Sequence, residues 1–194
     1  MAVRTFFALD IDEALRGRLS AVQGQVDSSD AKVNWVRPEN LHVTMNFLGD
    51  VADDVMIEVG RAATEAAAGI EPFDFHVRRV VCVPPQGQLR MIWAEVADPT
   101  GRMEALHDDL AGRLAGLGFK EEHRRFKGHI TLARIRFARR AASLRIRQAV
   151  AGLPGSEFPD QQAAELVAYT SQLTPEGPVY TPISRAPLGG EEAS

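Results

Sequence analysis

Residues 41–48 read LHVTMNFL, and residues 129–134 read HITLAR. Each stretch holds a His, one spacer and a Thr: His42 and Thr44 in the first, His129 and Thr131 in the second. Apolar and β-branched residues surround both pairs, which is how a strand reads. Residues two apart in a strand point to the same face. His42 and Thr44 therefore share one face, and His129 and Thr131 share another. If those faces meet across a cleft, two imidazoles and two hydroxyls converge on one small volume. The phrases lie 87 residues apart, a spacing that suits one phrase per lobe of a duplicated fold, two α+β lobes facing one another across a cleft.

The 194 residues are 45% apolar and 25% charged, with a net charge of −4. That is an ordinary soluble globular composition, with enough chain for one domain or two tightly joined lobes. A whole-chain positive excess, the mark of a tight sequence-independent nucleic-acid binder, is absent. Charge is distributed unevenly, however. From Lys120 to Arg147 ten basic residues meet only Glu121 and Glu122. This stretch encloses the second His-x-Thr, where it favours an anionic substrate; a solvated positive face is the plainer account. Cys82 is the only cysteine, so no intrachain disulfide framework exists, and in its VVCV setting it reads as a small core residue. No apolar run approaches membrane-spanning length, and MAVRTFFALDID turns acidic too soon for a signal peptide. A cytoplasmic protein without a membrane partner is the expectation.

Along the chain, Val3 to Ile11 reads as a strand, and Asp12 caps a helix to about Gly24 with Leu15, Leu19 and Val22 on one stripe. Residues 27–32 are loop-like, Val33 to Val36 a short strand, and Pro38 to Asn40 a turn into the first His-x-Thr strand, closed by Gly49 and Asp50. A helix over 53–68 and a hairpin over 73–96 follow, then a helix over 101–117 carrying Met103, Leu106, Leu110 and Leu114. His107 in that helix reads as a surface or packing residue. The second phrase begins a strand over 129–136, residues 138–150 suit a helix, and 152–162 is expected to be irregular because Pro154 and Pro159 interrupt it. Two strands, 164–173 and 179–184, complete a single two-lobed domain over 1–186, leaving 187–194 as a frayed tail.

One His-x-Thr alone carries little, since His is often a satisfied core residue and Thr a favoured strand residue. Two copies in strand-like runs shift the balance toward a site. Zinc binding lacks support: neither phrase supplies Cys, Asp or Glu at ligand spacing, and HExxH is absent. Neither a P-loop, a dinucleotide fingerprint nor a GxSxG elbow occurs. What remains is acid–base chemistry without a metal or other cofactor. Imidazoles titrate near pH ~6.5. One can take a proton from water attacking phosphorus while the other protonates the departing ribose oxygen. Thr44 and Thr131 can donate hydrogen bonds to the non-bridging oxygens. Arg134 lies five residues beyond His129, so simple alternation puts it on the opposite face; it reaches the anion only if the strand bulges or ends there.

The stretches RTFFALDI at 4–11, NWVRPENLHVTMNFLGD at 34–50, LRMIWAEV at 89–96, RRFKGHITLAR at 124–134 and LVAYTSQLTPEGPVYTPI at 166–183 span nearly the whole chain. In content and order they resemble the two-histidine phosphoesterase superfamily, and within it the bacterial RNA 2',3'-cyclic phosphodiesterases, also called 2'-5' RNA ligases. The resemblance implies a bilobal α+β fold with two antiparallel sheets flanked by helices and a central cleft between them, catalytic His42 and His129, phosphate-binding Thr44 and Thr131, and Arg134 as a further phosphate ligand. It implies opening of 2',3'-cyclic phosphate RNA ends to 2'-phosphates and, for some members, ATP-independent 2'-5' ligation by the reverse reaction. It also suggests His129 as base and His42 as acid. The partner is then an RNA end or a small nucleotide, and the protein a monomer. An RNA-binding module without turnover is the alternative of a different class. The family's prolines before the second His are replaced here by the run Arg125, Phe126, Lys127, Gly128, which implies a looser, more basic approach to the site.

Overall fold

The computed structural model describes residues 2–120, 125–153, 158–175 and 177–190. Arg124, part of the basic stretch, Pro154 and the last four residues of the expected tail lie outside them. The elements in chain order are β1 (Ala2–Asp10), α1 (Glu13–Gln25), β2 (Ala31–Trp35), a 3-10 turn (Pro38–Asn40), β3 (His42–Ala52), α2 (Met56–Ala68), β4 (Phe73–Val83), β5 (Met91–Ala97), α3 (Arg102–Gly116), β6 (His129–Ala138), α4 (Arg140–Ala151), β7 (Gln161–Ala163), β8 (Glu165–Thr174) and β9 (Gly177–Pro187). Local chemistry explains most of the boundaries. Asp12 caps α1 by accepting a hydrogen bond from the Leu15 amide at 2.8 Å. Gly118, at φ +88°, leaves helical space just after α3.

The strands pair antiparallel in the order β7-β4-β5-β6-β3-β1-β8-β9, with β2 added to β6. The two halves of this sheet, β7-β4-β5-β6 and β3-β1-β8-β9, are joined in β3 and β6 by one registered pair, Val43 with Ile130. The α+β fold with helix-flanked antiparallel strands is the one expected. Its lobes, however, do not follow the two halves of the chain. β4 sits beside β5, β8 beside β1, and β2 has crossed to β6.

One face of the strands feeds the core. Val43, Met45, Ile130 and Leu132 are buried there with Leu15 and Leu19 of α1 and Leu106 and Leu110 of α3. Shortening any of these leucines to alanine costs ~2–5 kcal/mol. Three expectations change. Residues 161–163 form a short strand against Phe73–Phe75, because Gln161 reaches the Asp12 amide at 2.8 Å and is held in place. β3 continues past Gly49, which takes φ +76° within the strand. The chain also stays packed beyond 186: Leu188 is buried, and the Gly189 amide donates to the Ala67 and Ile70 carbonyls at 3.1 and 2.8 Å. No described helix is long and apolar enough to cross a membrane.

Candidate active site

The residue that separates His from Thr in each phrase is the one that joins the lobes. Antiparallel pairing of Val43 with Ile130 sets His42 opposite Thr131 and Thr44 opposite His129. With Val43 and Ile130 buried toward the helices, the two His and two Thr side chains occupy the other face, around a local two-fold relation.

Each histidine is held in the same way. Nδ1 of His42 lies 2.8 Å from the Asn40 carbonyl, and Nδ1 of His129 lies 2.8 Å from the Lys127 carbonyl. A carbonyl only accepts, so Nδ1 carries the hydrogen, and in the neutral ring Nε2 keeps a free lone pair. His42 Nε2 meets the Thr44 hydroxyl at 2.9 Å. The segment before His129 is anchored rather than loose: Phe126 stacks on His107 with ring centroids 4.4 Å apart, and His107 is a buried packing residue.

Bulges complete the face. In β3 the register passes from Thr44 opposite Ala8 to Asn46 opposite Phe7, skipping Met45. In β6 it passes from Thr131 opposite Trp93 to Ala133 opposite Ile92, skipping Leu132. The extra residue reverses the alternation. Leu132 and Ala133 are consequently both buried, and Arg134 emerges exposed on the histidine face. The Leu132 carbonyl in the β6 bulge accepts from the Val36 amide and from Gln23 Nε2, each at 2.9 Å. In the first lobe the corresponding residue is Phe47, exposed and capped by the Arg4 guanidinium 4.8 Å from its ring centre.

Aromatic rings that sequence reasoning did not single out surround the imidazoles. Phe6 stacks on His42 at 5.0 Å between centroids, and Tyr180 meets it edge-on at 5.5 Å. Trp93 stacks on His129 at 3.8 Å. Asp10 lies opposite His42 in the strand register and accepts from the Tyr169 hydroxyl at 2.7 Å. Burial dominates the electrostatics. It pushes His42 from 6.5 down to about 4 against the raising effects of the Asn40 carbonyl and Asp10, with the His129 and Arg134 charges adding to the fall. Burial also lowers His129; the Lys127 carbonyl opposes this and Arg134 reinforces it. Arg134 thus acts on both imidazoles.

The basic stretch is only partly a site feature. Arg125 pairs with Glu104, Arg145 with Asp30, and Arg147 donates to the carbonyls of Pro84, Pro85 and Gly87. A cavity of about 540 Å³ against β4 and α4, lined by Arg78, Cys82 and Arg147, is bordered by none of the site residues. Among the described residues no group of three or more His, Cys, Asp and Glu is placed to hold a metal.

A family model described as LigT like Phosphoesterase matches the chain twice, over residues 9–93 and 95–180. The chain belongs to the LigT-like phosphoesterase family. Each match contains one His-x-Thr, so the duplication is visible in the family model itself. Among relatives of this LigT-like chain is the RNA 2',3'-cyclic phosphodiesterase of Methanothermobacter thermautotrophicus, 33% identical over 181 residues, covering 93% of this chain and 96% of that one. The protein of the same name from Archaeoglobus fulgidus is 27% identical over 178 residues, covering 92% and 96%. The fold is shared with TT0787 of Thermus thermophilus (TM-score 0.78, 24% identity, 97% and 100% coverage). It is shared equally with E. coli LigT complexed with 3'-AMP (TM-score 0.79, 21% identity, 97% and 99% coverage).

Proposed function

We propose that this LigT-like protein hydrolyses 2',3'-cyclic phosphate ends of RNA to 2'-phosphates by two-histidine acid–base catalysis, without a metal or other cofactor. The observation that carries the reading is the Val43–Ile130 pair, which gathers two imidazoles and two hydroxyls on one face. His129 takes a proton from water as the water oxygen bonds to phosphorus. The bond from phosphorus to O3' breaks, and O3' receives the proton of His42 Nε2. Thr44, Thr131 and Arg134 hold the non-bridging oxygens through the transition state. The roles of the two histidines and the choice of O3' rest on the family resemblance.

Burial leaves His42 neutral in the free protein at pH ~7, so the acid proton arrives with the substrate. An anionic phosphodiester beside the ring favours imidazolium. Protonated Nε2 no longer accepts from the Thr44 hydroxyl, which frees the threonine hydrogen for a phosphate oxygen and leaves the Nε2 proton for O3'. ATP-independent 2'-5' ligation, the reverse reaction, is a second capacity that follows from the resemblance. We further infer a cytoplasmic monomer that acts as one two-lobed domain.

Turnover of a nucleoside 2',3'-cyclic phosphate and of an oligoribonucleotide ending in one tests the proposal. Phosphorus NMR should show a 2'-phosphate product. A predominant 3'-phosphate refutes the polarity, and binding without turnover leaves an RNA-binding module. A small nucleotide ester is the second reading, favoured by the complexes of E. coli LigT with 3'-AMP, NADP+ and ATP. Equal or better turnover of the mononucleotide supports it.

A further inference from the structure

The two half-sites are related in backbone and unlike in what supports each imidazole. Strand register makes Ala8 of β1 the counterpart of Trp93 in β5, since Ala8 faces Thr44 as Trp93 faces Thr131. Ala8 offers no ring. His42 instead lies against Phe6, offset at 5.0 Å, with the edge of Tyr180 on it. His129 lies on the indole of Trp93, 3.8 Å between centroids and 21° from parallel. Two rings this close and this parallel present the negative π-face of the indole to the whole imidazole. Trp is the aromatic side chain that attracts a cation most strongly.

Packing alone does not account for a tryptophan here. Its Nε1 is buried without a hydrogen-bond partner, although a buried indole N–H usually finds one, and leaving it unpaired is unfavourable. Phenylalanine would fill much of the same space with no such penalty. Trp35, the other tryptophan of the chain, directs its Nε1 to the Ser28 hydroxyl.

We propose that Trp93 is a positioning residue for the reaction: its indole face orients the His129 imidazole and stabilises the positive charge the ring acquires on taking a proton from water. As the water O–H bond breaks and the proton moves to Nε2, the ring becomes imidazolium directly over the indole. The charge on His42 moves the other way, from imidazolium to neutral as O3' takes its proton, and that ring needs no such support. The tryptophan thereby distinguishes the base from the acid in a site whose backbone treats them alike. This rests on the reading of His129 as base, and its effect on the free protein does not.

The test uses the full chain in a Trp35→Phe background, so that Trp93 is the only tryptophan. Progressively fluorinated tryptophans keep the ring's shape and drain its π-electron density. Proton NMR titration should show the His129 pKa falling stepwise along the series while that of His42 holds still. Turnover number should fall in parallel, reaching ~3- to 10-fold for the most fluorinated ring, with KM within ~2-fold. Trp93→Phe should lie between the parent and Trp93→Leu in both turnover number and His129 pKa. A His129 pKa that ignores fluorination overturns the proposal, as does a Trp93→Leu defect confined to KM or stability with an unchanged pH profile. A His129 pKa that moves with fluorination in a chain that turns over no cyclic phosphate supports the stacking interaction and refutes the proposed function instead.

Discussion

Lowering the pH should destabilise this protein through His42 in a way that one substitution removes. The ring is held between Phe6 and Tyr180, and burial carries its pKa from 6.5 to about 4. The folded value lies below the unfolded one, so the unfolded chain takes up the proton first. The contribution is intact above pH ~6.5, falls as the pH drops through that value, and is gone near pH ~4, where both states are charged. At ~1.4 kcal/mol per pH unit the loss is ~3 kcal/mol. Urea unfolding of the parent and of His42→Gln between pH ~7.5 and ~4 measures it, because the other titrating groups largely cancel in the difference. The parent should lose stability more steeply by that amount. Saturating 2'-nucleotide, whose phosphate favours imidazolium, should raise the His42 pKa and flatten the difference. Parallel pH profiles of parent and variant, or a His42 titrating near 6.5 by NMR, would refute the argument.

Replacing His42 or His129 by alanine should lower turnover by ~100-fold or more, since positioned proton transfer contributes about 10²–10⁴; a fully active variant of either removes the mechanism. Dialysis against chelator should leave activity unchanged, and recovery of lost activity by one particular divalent ion would contradict this. Gln23→Leu withdraws a donor from the Leu132 carbonyl. It should lower stability by ~1–3 kcal/mol and raise KM by loosening the bulge that presents Arg134; an unchanged KM would separate the bulge from phosphate binding. Added salt should weaken oligoribonucleotide turnover more than mononucleotide turnover, and neutralising the exposed Lys127 and Arg136 together should reproduce the difference at low salt. Equal effects on both substrates would make these residues ordinary surface.

Which side chains form the pairs was legible because period-two alternation needs only local sequence. His42 with Thr44 and His129 with Thr131 lie within unbroken runs, and the structure keeps them so. The same rule left Arg134 conditional on a bulge, because a single extra residue at Leu132 reverses every face beyond it and leaves no compositional mark. The aromatic surround was missed for a different reason. Phe6, Trp93 and Tyr180 reach the histidines through pairing between strands far apart in sequence, and their own segments read as ordinary core strand. Placing Trp93 required knowing that β5 pairs β6 with Trp93 opposite Thr131. The short strand at 161–163 was hidden by the prolines before it, since Gln161 is fixed by the distant Asp12 amide and not by local propensity.

The inner order β4-β5-β6-β3-β1-β8 reads the same from either end once the repeats are matched, whereas the outer β7 and β9 both belong to the second repeat. β4 corresponds to β8 in that palindrome, yet each lies beside the opening strand of the other repeat. The two repeats have therefore exchanged arms. The first repeat cut free would keep β1 beside β3 but lose β8 from β1, and its β4 would lose both partners, β5 and β7. The second would keep β5 beside β6 and β8 beside β9, but lose β4 from β5 and β1 from β8. Such a fragment exposes two unsatisfied sheet edges and is prone to pair with a second copy. Severing the chain between the repeats should thus give pieces that fold only in each other's company, and reassembling them should restore the fold and the shared His-Thr face in one event.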